Sequence, residues 1–325
     1  PASPKRTNTT HEAAMALEWL GRLWATATAL AALAWLRLNR WLVQVALRRG
    51  PRDRRLWHGV AVVGDGVAMG FGEPGVVGRN AGPAGLLERK LFADARLRHR
   101  WEVFNLGHWG ATSEEWLPSW AARPVALGSG VRETLWRDAR ASPLLEQAEV
   151  VVLHVGAMDR FWAPASSAAP EAVADNAFKL AARLRCLGKE VVVCPPVVGP
   201  GSSPAAQAAA APLADALAAA FAARFRPDLV QDPGLVLMAD PNGLLGKRAE
   251  FYFAADGVHL NARGYKILAH QVWAAVADLC VRREWEVNRA VIAAQAPGQA
   301  PAQASAEHVA SAVASAVASA GLKSD

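Results

Sequence analysis

The stretch at residues 59–72, GVAVVGDGVAMGFG, constrains this chain more than any other. Val60 to Val63 make a short apolar run rich in β-branched side chains, the pattern of a buried strand. Gly64, Asp65 and Gly66 break the run, and Val67, Ala68 and Met69 read as the opening of a helix. A strand that turns sharply into a helix is where an α/β protein presents chemistry, because side chains and helix-start amides meet at one sheet edge. Similar strand-like runs fall near residues 101–106, 150–155, 190–194 and 234–239. Helical stretches fall near 67–72, 84–93, 112–121, 131–147, 171–187, 208–225 and 262–282. Strands separated by helices predict a parallel sheet covered on both faces.

Four blocks in this region carry a resemblance. Gly64-Asp65-Gly66, with its small apolar helix start, resembles the first block of the SGNH/GDSL hydrolases, esterases and lipases marked there by Gly-Asp-Ser. Asn105-Leu106-Gly107 resembles their glycine block, and Gly156-Ala157-Met158-Asp159 their Gly-x-Asn-Asp block. Asp256-Gly257-Val258-His259, continued by Asn261, Gly264 and Tyr265, resembles their Asp-x-x-His segment. The resemblance covers residues 59–282 in the family's order. It implies a flavodoxin-like three-layer α/β fold with a five-stranded parallel sheet.

In that family a serine hydroxyl attacks an ester carbonyl, histidine takes its proton and aspartate orients the imidazole. Backbone N–H groups and an asparagine amide hold the oxyanion. Carried onto this chain, the serine falls on Gly66 and the asparagine on Met158, neither of which has the required side chain. Gly66 and Gly107 would still offer backbone N–H groups, and Asp256 and His259 could still pair. The resemblance therefore leaves five vestigial positions, Gly66, Gly107, Met158, Asp256 and His259. It implies a degenerate member that is not an enzyme.

Each residue also has a plainer reading. Gly66 suits a sharp elbow, with water-based chemistry as the rival. Asp256 and His259 either order the loop before the last helix, where Asn261 caps, or keep an acid–base role. Met158 reads as core filler. Thr112 and Ser113 read as helix caps, with substitute nucleophiles as the rival. His108 and His154 are lone histidines without ligand spacing, and no metal or cofactor is expected.

Charge sorts the rest of the chain. Residues 1–58 carry ten of the 35 basic residues and three of the 29 acidic ones, so the excess of +6 belongs to the N-terminal part. That distribution argues against a nucleic-acid-binding face on the domain. Residues 1–11 read as a polar tail. Residues 12–50 read as a hydrophobic, then amphipathic, helix. Residues 19–36 hold only Arg22 as a charge, tryptophans flank the run, and arginines follow it. A membrane-spanning or membrane-lying helix and a helix packed on protein both fit residues 12–49. If the helix spans, the arginines after the run put the main domain on the cytosolic or matrix side. The loop at 198–212 reads as low-complexity filler. The last helix runs on to about residue 294, and residues 283–325 form that extension and an alanine-rich tail.

Three cysteines, Cys186, Cys194 and Cys280, are too few for a disulfide scaffold and point to a reducing compartment. The chain begins at Pro1, which fits a fragment and a cleaved leader equally. The expectation is a non-catalytic accessory subunit of a membrane complex, with other subunits and membrane lipid as partners. The mitochondrial inner membrane is its expected place, with the domain on the matrix side, and the pocket is a candidate lipid site. The alternative is an active esterase, lipase or acyltransferase with a non-standard nucleophile.

Overall fold

The run that opens the domain forms β1, Trp57–Gly64, buried along almost its whole length. The structure is a computed structural model that describes residues 57–70, 82–119, 135–162, 168–201, 204–226 and 232–295. The expected helix over 12–49 and the tail from residue 296 lie outside the described residues.

Four more strands follow: β2, Arg100–Gly107, β3, Val150–His154, β4, Glu190–Cys194, and β5, Leu235–Leu237. All pair in parallel, in the spatial order β2-β1-β3-β4-β5. Val60, Val62, Val103, Val150, Val152 and Val192 bury almost completely in one core cluster. Runs buried on both faces are what a helix-covered parallel sheet requires. This is the expected five-stranded α/β fold. Its strand order reverses between β1 and β3, so their carboxyl ends open a crevice.

The helices depart from the sequence reading in four places. The one after β1, Gly66–Met69, stops after four residues because Gly70 turns left-handed at φ 89°. Of the stretch at 112–121, the described residues hold only a 3-10 turn, Glu114–Trp116. The stretch at 131–147 divides into Leu135–Ala141 and Pro143–Gln147, because Ser142 caps a new start by accepting from Leu144 N–H. The fourth is the supposed filler loop. Residues 204–212 belong to a helix, Pro204–Arg224, which carries Pro212 in its interior.

That helix lies on Pro170–Cys186 through its second half. Leu217 and Phe221 bury, and Arg224 pairs with Asp175 at 2.8 Å and lies 4.2 Å from the Phe178 ring centre. Its mean hydropathy of 1.3 and its length suffice for a membrane span, yet only 11% of its apolar window is buried. The last helix, Ala262–Gln295, is unbroken. Its buried Glu284 accepts from the N–H groups of Arg98 and His99 and from Trp101 Nε1, at 2.8–3.0 Å. That carboxylate pins the helix to the start of β2.

Candidate active site

Register places the site. Gly64 at the end of β1 lies opposite Gly107 of β2 and His154 of β3. A Cβ on Gly64 would fall 1.7 Å from the His154 carbonyl oxygen, and its φ of 153° disfavours other residues. The chain can therefore turn here only at glycine.

Asp65 locks that turn. Its fully buried carboxylate accepts from Val67 N–H and from Ala157 N–H, each at 2.9 Å. One oxygen caps the short helix and the other ties it to the segment after β3. His154 Nδ1 stands 3.5 Å from the same carboxylate. An aspartate directly before a helix start is a capping signal that the sequence already carried.

Asp256 and His259 come together in the loop before the last helix. His259 Nδ1 donates to Asp256 Oδ2 at 2.6 Å, and the backbone N–H groups of Val258 and His259 donate to Oδ1. Burial alone would raise the Asp256 carboxyl, but these hydrogen bonds, the imidazole's first, bring it to about 2. It therefore stays ionised and is suited to stabilise an imidazolium. Asn261 caps the helix behind the loop, accepting from the N–H groups of Arg263 and Gly264.

The far side of the imidazole faces β1. A Cβ built on Gly66 would lie 3.2 Å from His259 Nε2, with Trp109 Cδ1 at 3.7 Å. Position 66 is thus where a side chain would address a histidine already oriented by an aspartate. Residues 62–267 match the sequence model of the GDSL-like lipase/acylhydrolase family. The chain belongs to that family.

Among solved structures, this GDSL-like chain resembles three named here. They are the lipase Lip_vut3 from a goat rumen metagenome, a carbohydrate acetylesterase family member from Sinorhizobium meliloti and a lipase/acylhydrolase from Enterococcus faecalis. Identities are 15%, 16% and 16%, with TM-scores of 0.47, 0.47 and 0.44. The matches cover 67%, 69% and 67% of this chain and 97%, 99% and 95% of those. A search of the curated proteins finds no match.

Two expectations at the GDSL site need correction. Gly107 N–H was expected to face an oxyanion, but it donates to Asn105 Oδ1 at 3.0 Å. Asn105 reaches back while its Nδ2 holds the Met69 carbonyl at 2.9 Å, tying β2 to the short helix. Ser113 was expected to cap a helix. Instead its hydroxyl donates to Asp159 Oδ1 at 2.6 Å and accepts from Asn176 Nδ2 at 3.1 Å. Thr112 contributes its N–H, which donates to Glu115 at 2.8 Å. Met158 is 2% exposed and belongs to the core cluster.

Asp159 is, with Asp65, a buried carboxylate of this site. Desolvation pushes its carboxyl up to about 6 despite the Ser113 hydrogen bonds, with the charges of Asp65 and Glu115 adding to the rise. No thiol replaces the family's serine. Burial pushes Cys194 up to about 12 and raises Cys280 well above the ordinary thiol value, and Cys186 closes Pro170–Cys186 at the opposite sheet edge. Among the described residues, no three His, Cys, Asp or Glu side chains gather as a metal set. Asn176 and Arg160 carried no sequence signal. Each enters the site region from an element whose own pattern is ordinary.

Proposed function

We propose that this GDSL-like chain is a non-catalytic structural subunit at a membrane, whose former acyl site is available to a bound lipid or acyl group. One observation carries the non-catalytic part: position 66, aligned with His259 Nε2, is a glycine. Loss of the nucleophile in a comparable serine system costs about 10⁶ in turnover. Loss of an oxyanion donor costs about 10²–10³. Met158 and the engaged Gly107 N–H each remove a donor, so the remaining dyad has neither an attacking atom nor a full oxyanion cradle.

The membrane part rests on the sequence of residues 12–49 and on the apolar, largely exposed helix Pro204–Arg224. The arginine-rich flank favours the cytosolic or matrix side for the domain, and the mitochondrial inner membrane is the proposed site. The test has two parts. The purified full chain is treated with a fluorophosphonate probe and short acyl esters, and it is isolated from native membranes under mild detergent. The expected results are no covalent labelling and copurification at fixed stoichiometry with a membrane complex. Labelling that vanishes on changing one serine or threonine, or isolation as a soluble monomer, would overturn the reading.

The intact His259–Asp256 pair favours one second reading, an esterase in which His259 activates water or an acceptor hydroxyl. Ester hydrolysis that survives the fluorophosphonate and disappears in His259→Ala would establish it.

A further inference from the structure

Arg160 is the group this site leaves unexplained. It follows Asp159 on the four-residue helix Asp159–Trp162, directly beyond the carboxyl end of β3. Its Nη1 donates to the Gly199 carbonyl at 3.1 Å, and its guanidinium lies 4.4 Å from the Phe161 ring centre. Its Nε is buried and has no hydrogen-bond partner among the described residues. Burial lowers its pKa, and no charged group among the described residues acts on it in the opposite sense.

The nearby carboxylates are committed elsewhere, Asp159 to Ser113 and Asp256 to His259. A partly desolvated cation without a counter-charge is costly unless something supplies one. One backbone carbonyl satisfies one of the five N–H groups of a guanidinium.

Its position ties it to the dyad. A Cβ on Gly199 would fall 2.2 Å from the Gly257 carbonyl and 2.9 Å from the Phe253 ring. Gly201 N–H donates to that same Gly257 carbonyl at 2.8 Å. Gly257 lies in the loop between Asp256 and His259. Arg160 therefore backs the dyad loop from the β3–β4 side, while Gly66 faces His259 from β1.

A guanidinium is shaped to take a carboxylate or phosphate with two parallel hydrogen bonds. We propose that Arg160 is the anion-holding residue of this pocket, and that the ligand bound there carries a carboxylate or phosphate group. This deepens the reading of the pocket as a binding site and rests on it. The apolar part of such a ligand has a surface to meet: Phe161, about half exposed, lies against the Arg160 guanidinium on the same short helix.

The test is calorimetric titration of the full chain in a nonionic detergent with octanoate, octyl phosphate and octanol. At least one of the two anions should bind ten or more times tighter than octanol. Arg160→Gln should remove that preference, and Arg160→Lys should keep part of it. Inorganic phosphate competing with octyl phosphate would assign the contact to a free phosphate group. Competition by acetate alone would assign it to a carboxylate. Equal affinity for octanol and both anions in the unaltered chain would overturn the proposal, whether or not the variants fold. So would Arg160→Gln binding the anions as the unaltered chain does while losing only thermal stability, since that marks Arg160 as a brace for Gly199. Failure here would leave the non-catalytic reading untouched, because that one is read from covalent labelling.

Discussion

A serine at position 66 would find its partner waiting. The Cβ direction of Gly66 already points at His259 Nε2 from 3.2 Å, and Asp256 holds the opposite ring nitrogen. Gly66→Ser is therefore expected to gain slow fluorophosphonate labelling that the Gly66→Ser/His259→Ala double variant lacks. The gained rate should stay about 10²–10³ below an intact site, because Met158 donates nothing and Gly107 N–H is held by Asn105. The two carboxylates also set opposite pH dependences. Asp256, depressed to about 2, contributes stability that is present above pH about 4 and is lost as pH falls towards 2. Asp159, raised to about 6, favours the fold when protonated, so its contribution falls as pH rises from about 4 to 6. Being fully buried, it should account for about 3 kcal/mol over that window. Chemical denaturation at pH 4, 5 and 6 should reveal this slope in the unaltered chain and its absence in Asp159→Asn.

Among elements, Pro204–Arg224 departs at its start: a helix is expected over 208–225, but residues 204–212 fall in the stretch that reads as filler. Alanine favours helix but carries no periodic apolar signal, so that start reads as filler although its propensity is high. Pro204 at the start needs no N–H partner, whereas Pro212 removes one internal hydrogen bond. What fixes the helix is its second half. Phe221→Ala should cost about 3–5 kcal/mol by emptying the contact with Pro170–Cys186. Ala209→Glu, on the exposed half, should change stability by no more than about 0.5 kcal/mol. Thermal melts of the two variants check this contrast: Phe221→Ala should melt well below the unaltered chain and Ala209→Glu with it.

At the scale of the whole molecule, the five strands pair with one another between residues 57 and 237 among the described residues. The covering helices fall between residues 66 and 295. Deleting residues 1–49 should therefore leave the sheet domain folded while releasing it from carbonate-washed membranes. Circular dichroism and fractionation of the shortened chain would measure both. Loss of folding would mean that the N-terminal segment completes the core.

The sequence by itself determined where the strands lie, because β-branched runs broken by glycine report burial on both faces locally. It also showed glycine at 66 and methionine at 158, because residue identity needs no coordinates. It located the aspartate–histidine pair through its resemblance to the family's Asp-x-x-His segment. Only the tertiary structure decided which distant groups meet. The sheet order sets Gly66 against His259, gives Ser113 to Asp159 and leaves Arg160 without a counter-charge among the described residues. Those outcomes depend on contacts between residues far apart in the chain and on desolvation where they meet. Neither is encoded in the period or propensity of any single segment.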